Sequence, residues 1–263
     1  MALNWAVNLS LIFTEVPLLE RFAQAKACGF DAVEIQFPYE EAAEDLKAAA
    51  DAADVEIILF NIPAGDLMGG GEGLAAVPEM RSTFEQALEQ AIAYGRVLKP
   101  RWINLLSGRN KNKSQSSLYY ETLVGNVAKT LERFSHEDFD LVVEAINNKD
   151  MEDFIICQFA DLSQLKKQPG CEGIKFQYDI YHMARMNEPV VEQLTSHIDF
   201  IGHIQFADCP GRHEPGTGSF HLDEIFQLIN SLPYQGWCAA EYNPSCPSEE
   251  SFDWLNDHTG DQE

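Results

Sequence analysis

The sequence predicts a single α/β domain, a (β/α)8 TIM barrel, over residues 1–263. Three observations lead there. Short apolar runs alternate with helical patterns eight times, and no Pro/Gly/Ser linker is long enough to divide the chain. Parallel strands joined this way cross over with one hand, which favours closure into a barrel. Acidic or amide residues end the runs, and separate strands delivering polar side chains to one rim is how such a barrel builds a site. The rival is an open doubly wound sheet, which wants a glycine-rich phosphate loop after its first strand. The segment NLSLIFTE at 8–15 has no glycine.

Each element has its own signal. Residues 3–9 (LNWAVNL) form the first strand. Residues 16–28 carry Leu18, Leu19, Phe22, Ala25 and Ala27 on a helical face, and Gly29 caps it. DAVEIQF at 31–37 is the second strand, the Ala-rich 40–53 a helix, and VEIILFN at 55–61 the third strand. Residues 63–77 break the rhythm with five glycines and no helix period. A loop of that kind just past a strand end is placed to act as a lid. Residues 79–98 form a helix, 101–108 the fourth strand, and 116–134 a helix. Strand five is 139–145, followed by a short helix over 160–168. Strand six is 174–180 with a helix over 188–197, and strand seven is 199–206 with a helix over 221–231. Strand eight is 236–242, with a last helix near 248–257.

Composition narrows the function. Hydrophobic residues make up 45%, which is ordinary for a globular protein and argues against disorder. Eighteen basic against 42 acidic residues give a net charge of −24. That field repels phosphate backbones and anionic lipid, so neither nucleic acid nor a membrane is expected as partner. DNA hydrolysis by a metallonuclease barrel is disfavoured for the same reason, and because only seven histidines occur. An anionic substrate would need local basic residues, and Arg109, Lys111, Lys113 and Arg212 lie near expected strand ends. The six cysteines include no CxxC pair and are expected to be reduced, Cys238 as buried packing. The N-terminus reads as strand and loop rather than export signal, which makes the expected location cytoplasmic. A homo-oligomer is compatible with all of this.

The polar strand ends carry the chemistry. Glu144 ends LVVE, Asp179 and His182 follow KFQY, His203 and Gln205 sit in GHIQF, and Glu241 ends WCAAE. Glu144, Asp179, Gln205 and Glu241 offer oxygen ligands only, which suits Mg²⁺ or Mn²⁺. Three converging carboxylates would repel one another, and one divalent ion offsets most of that repulsion.

The segments MALNWAVNLSLIF, FPYE, FNIPAGD, EAINNKD, QYDIYHMARM, IGHIQFAD, GRHEPGTGSF and GWCAAEY run from about residue 3 to residue 257. Together they resemble the hydroxypyruvate isomerase family, within the xylose-isomerase-like TIM barrels. The resemblance implies a divalent metal held by Glu144, Asp179, Gln205 and Glu241. It implies that Glu144 and Glu241 move protons on either side of the substrate, and that His182 and Arg212 hold substrate oxygens. Asp150 stands where the wider superfamily has a substrate-contacting glutamate, and Arg109 is the next basic candidate for a carboxylate. The implied reaction interconverts hydroxypyruvate and tartronate semialdehyde through an enediolate, with no organic cofactor. A 2-oxo-tetronate isomerase and a ketose 3-epimerase are the alternatives. Phe60 departs from the pattern, because the relatives carry histidine directly before the Asn-Leu-Pro-Ala-Gly-Asp stretch. Phenylalanine cannot hydrogen-bond, so the pocket wall around Phe60, Trp102 and the glycine loop is expected to decide the substrate.

Overall fold

The computed structural model of the protein describes residues 3–256. Strand β1 (Asn4–Asn8) leads to helix α1 (Leu18–Ala27), β2 (Ala32–Ile35), α2 (Ala43–Ala53) and β3 (Glu56–Asn61). Helix α3 (Arg81–Leu98), β4 (Trp102–Leu105), α4 (Ser116–Phe134), β5 (Asp140–Glu144) and α5 (Phe159–Lys166) follow. Then come β6 (Lys175–Asp179), α6 (Ile180–Arg185), α7 (Val190–His197), β7 (Ile201–Phe206), α8 (Leu222–Ser231), β8 (Trp237–Ala240) and α9 (Asp253–Asn256). The eight strands close into one barrel in sequence order, every pair parallel.

Three expectations need correction. The sixth strand ends at Asp179 rather than running on to residue 180, because Asp179 caps a short helix, α6. The last helix is broken into a 3-10 turn over Ser248–Glu250 and α9, and its expected residue 257 lies outside the described residues. The glycine-rich stretch is not wholly irregular, since Leu67–Gly69 makes one 3-10 turn.

Strands buried on both faces sort their side chains into two layers. Outward residues such as Val7, Val33, Ile103, Val143, Tyr178 and Phe206 pack against the helices. Inside the barrel, Ala6, Ala32, Ile58, Leu59, Trp102, Val142 and Ala239 form an apolar cluster. Trp102 and Trp237 open their strands, so this layer fills the end where the strands begin. Gly202 makes room for it, since a Cβ there would meet the Trp102 ring at 2.9 Å. Toward the other end the interior turns polar, with Asn8, Glu34, Asn104, Glu144, Gln177, Asp179, His203 and Gln205 all buried.

Candidate metal and proton-transfer site

The polar layer sits at the C-terminal ends of the strands, where this architecture places its chemistry. Glu144 and Asp179 are the last residues of β5 and β6, and Gln205 lies on β7. Glu241 follows β8, its N–H donating to the carbonyl of Phe206 at 2.9 Å. Glu144, Gln205 and Glu241 line one small cavity of about 50 Å³, together with His182 and Arg212, and Asp179 lies behind the last two. Asn8, Gln36, Asn61 and Gln177 add amides, and Phe37, Met68, Leu106, Ile146 and Met151 an apolar edge. Met68 comes from the glycine-rich loop, so that loop does reach the mouth of the cavity.

Each carboxylate is held separately. Asp179 Oδ1 accepts the Tyr181 and His182 N–H groups at 2.7 and 3.3 Å. Its Oδ2 is buried without a hydrogen-bond partner, 3.5 Å from His182 Nε2 and 3.7 Å from Arg212 Nη2. Glu144 accepts from Asn104 Nδ2 at 3.2 Å and lies 3.6 Å from His182 Nε2. Glu241 Oε1 accepts from Asn8 Nδ2 at 3.1 Å and Gln36 Nε2 at 3.0 Å, and its Oε2 accepts from Arg212 at 2.7 Å. One potential ligand atom each from Glu144, Asp179 and His182 lies within 4.8 Å of the others, a buried cluster suited to a divalent ion.

Burial and mutual repulsion set the proton affinities. Burial pushes Glu144 well above the usual carboxylate range, and the Glu241 and Asp179 carboxylates add to it. Burial also raises Asp179, opposed by Arg212. Glu241 is pushed up to about 7 by burial, again opposed by Arg212. His182 is driven well below its ordinary value by burial and then by the Arg212 charge, so its ring is neutral. Burial pulls on Arg212 too, but Glu241, Asp179 and Glu144 outweigh it and hold the guanidinium charged.

Arg212 is delivered by an unusual loop. It has φ +59° in the left-handed region, and its backbone is tied at both ends. Its N–H donates to Asp208 O at 3.1 Å and its carbonyl accepts from Asn243 N at 2.8 Å. The Asp208 carboxylate accepts the N–H groups of Cys209, Gly216 and Gly218, and a Cβ on Gly218 would approach it to 2.4 Å. Arg212 also lies 5.3 Å over the Tyr181 ring. Its acidic partners are Glu241 and Asp179, whereas the adjacent Glu214 bonds to Ser245.

The remaining expected residues fall elsewhere. Asp150 does not line the cavity. It accepts from Tyr181 Oη at 2.7 Å and Asn147 Nδ2 at 3.0 Å, with Arg185 Nε at 3.4 Å. Arg109 anchors the glycine loop instead, its N–H donating to Glu72 O at 2.9 Å while its guanidinium lies near Gly70. Phe60 is fully buried on the outer face of β3, edge-on to Tyr39, and does not touch the cavity. Trp102 belongs to the opposite end of the barrel. Of the expected pocket wall, only the glycine loop is present.

Sequence reasoning overlooked the amides and one acid beneath them. Glu34 on β2, fully buried, accepts from Asn8 Nδ2 at 3.0 Å and Gln205 Nε2 at 2.8 Å, and pairs with His203 Nε2. Gln205 Oε1 in turn accepts from Gln177 at 2.6 Å. The signal was there: a glutamate inside the apolar run AVEI is costly to bury unless something receives it.

Comparisons with known proteins agree with this geometry. The model of the family described as xylose isomerase-like TIM barrel matches residues 22–258. Hydroxypyruvate isomerase of Escherichia coli (strain K12) is 37% identical over 254 residues, covering 97% of this chain and 98% of the relative. A 2-oxo-tetronate isomerase of Cupriavidus necator is 33% identical over 257 residues, covering 98% and 99%. A crystal structure described as an AP endonuclease, family 2, from Brucella melitensis superposes with a TM-score of 0.92 at 29% identity, covering 98% and 99%. With a closed eight-stranded barrel and these matches across its length, the chain belongs to the xylose isomerase-like TIM barrel family, in the group that includes the hydroxypyruvate and 2-oxo-tetronate isomerases.

Proposed function

We propose that the protein is a metal-dependent isomerase that interconverts hydroxypyruvate and tartronate semialdehyde. The observation that carries this reading is that Glu144 and Glu241 line one small cavity with Gln205, His182 and Arg212, and that Asp179 reaches the last two. The group fits a divalent ion. Asp179 Oδ2 is buried with no hydrogen-bond partner, and three acids with raised proton affinities share the site. Glu144, Asp179, Gln205 and Glu241 would hold Mg²⁺ or Mn²⁺. When bound, such an ion supplies Lewis-acid polarisation of a carbonyl and offsets negative charge.

The chain's own residues move the protons. One of the two glutamates takes a proton from the hydroxymethyl carbon, giving an enediolate, the other delivers one to the neighbouring carbon, and the hydroxyl proton passes from the former alcohol oxygen to the former carbonyl oxygen. The hydrogen travels as a proton, so neither nicotinamide nor flavin has a part. Arg212 meets the substrate carboxylate, for which a guanidinium is shaped. His182 holds a substrate oxygen. The single barrel and a cytoplasmic location belong to the same reading.

The relatives support a small 2-oxo acid over a six-carbon ketose, since isomerases of hydroxypyruvate and of 2-oxo-tetronate match at 37% and 33% identity. A 2-oxo-tetronate is the second reading, supported by the Cupriavidus necator relative. DNA cleavage has the Brucella melitensis likeness in its favour, but the −24 charge and the narrow cavity oppose it. Assays on hydroxypyruvate, 2-oxo-tetronates and ketoses, with Mg²⁺ or Mn²⁺, test the proposal. No turnover of hydroxypyruvate under any metal condition would overturn it.

A further inference from the structure

The loop after β5 meets the ring of His182 through Asn147. His182 is buried, and what its two ring nitrogens face decides where its hydrogen sits. Its Nδ1 lies 2.7 Å from Asn147 Nδ2, and its Nε2 faces Glu144 and Asp179. An amide can usually be turned either way round, but here the neighbours fix it. Asn147 Oδ1 accepts two backbone N–H groups, from Lys149 at 3.1 Å and Asp150 at 2.9 Å. The NH₂ end must therefore face Asp150 Oδ2, at 3.0 Å, and His182. Asn147 is itself fully buried, so a reversed amide would set its oxygen against the Asp150 carboxylate and strand two backbone donors.

We propose that Asn147 is a positioning residue that fixes the His182 proton on Nε2, so that His182 enters the site as a hydrogen-bond donor to a substrate oxygen and not as a further metal ligand. Because Nδ1 accepts from Asn147, Nε2 carries the hydrogen and has no lone pair for an ion. The ion is left to the oxygen ligands. Asp150, set back from the cavity, acts through Asn147: its Oδ2 also takes the Tyr181 hydroxyl at 2.7 Å, which locks the amide and the start of α6 together. The substrate part of this inference rests on the isomerase reading, and the tautomer part does not.

Nitrogen NMR of the histidine rings in the whole protein tests it, with His182 assigned by its loss in His182→Gln. The expected wild-type pattern is a protonated Nε2 and a bare Nδ1, with and without Mg²⁺. Exchanging the partners, Asn147→Asp together with Asp150→Asn, keeps charge and shape and reverses the direction of donation. The proton should move to Nδ1, and kcat should fall by about 100-fold or more, as wrong-tautomer variants do. Asn147→Leu should leave a mixture of tautomers and an intermediate loss. A wild-type Nδ1–H would overturn the proposal, even if the exchanged pair fails to fold. So would an exchanged pair that keeps the proton on Nε2. Absence of isomerase activity with the expected wild-type tautomer would overturn only the substrate reading.

Discussion

Asp179 caps the helix that carries His182, and one carboxylate serves both the backbone and the site. Its Oδ1 binds the Tyr181 and His182 N–H groups, while its Oδ2 stands 3.5 Å from His182 Nε2 with no hydrogen-bond partner. The cap ties the start of α6 to the end of β6, so the ring and that oxygen are held side by side.

Asp179→Asn should separate the two roles. An amide oxygen can still accept the cap bonds, so the fold should persist. Mn²⁺ affinity should drop by an order of magnitude or more, and the rise in Tm that Mn²⁺ gives should shrink with it. Calorimetric titration and thermal melts check this. Unchanged affinity would remove Asp179 from the metal.

Glu144→Gln and Glu241→Gln should each cost about 10² to 10⁴ in kcat, since each keeps the shape but loses a proton carrier. Circular dichroism should show both folded. Full activity in either variant would take that glutamate out of the mechanism.

Arg212→Ala should raise KM strongly and lower kcat, because a small substrate held by few contacts is misplaced when one is lost. It should also free Glu241 Oε2, now bonded at 2.7 Å. Arg212→Lys restores charge without the paired geometry, so rescue should be partial. Wild-type kinetics in the Ala variant would move the carboxylate-binding role elsewhere.

The metal-free protein should lose stability through Glu241 as pH rises. Its folded value of about 7 lies above the ordinary glutamate value of 4.5, so the folded chain keeps a proton that the unfolded chain has released. That contribution is present in full below the unfolded value and is lost as pH climbs through the folded one. At ~1.4 kcal/mol per pH unit, wild type should lose about 3 kcal/mol relative to Glu241→Gln across that window. Urea melts of both proteins at several pH values measure the gap. A gap that is flat with pH would mean Glu241 titrates alike folded and unfolded.

Phe60→His should lower stability by about 1 to 3 kcal/mol and leave substrate preference unchanged, because it puts a polar ring in the buried contact with Tyr39. Denaturation midpoints and the ratio of kcat/KM between hydroxypyruvate and a 2-oxo-tetronate check it. A changed ratio with unchanged stability would place Phe60 in the pocket.

The sequence by itself determined the eight strands, most of the helices, and Glu144, His182, Gln205, Arg212 and Glu241 among the residues that line the cavity. Alternating apolar and helical runs are local properties, and Glu144, Asp179 and Glu241 advertise themselves by ending apolar strands. Only the tertiary structure decided which way each neighbour faces. In β3 every residue from Ile57 to Asn61 is buried, so no alternation of polar and apolar marks the inner side. Phe60 turns outward because Asn61 turns in to meet Asn104 at 3.0 Å. A register shift between Val33 and Glu34 sets the β2 side of that pairing, and Glu34 lies beneath Gln205 and Asn8. In the sequence Asp150 stood out as a candidate substrate contact and Asn147 did not stand out. Which of them touches His182, and which stands behind, depends on two backbone N–H groups that exist as donors to Asn147 only once the loop is folded. Strand character is a short-range balance of propensity and burial, whereas inside, outside and hydrogen-bond direction are settled when the barrel closes and each buried polar group must find a partner.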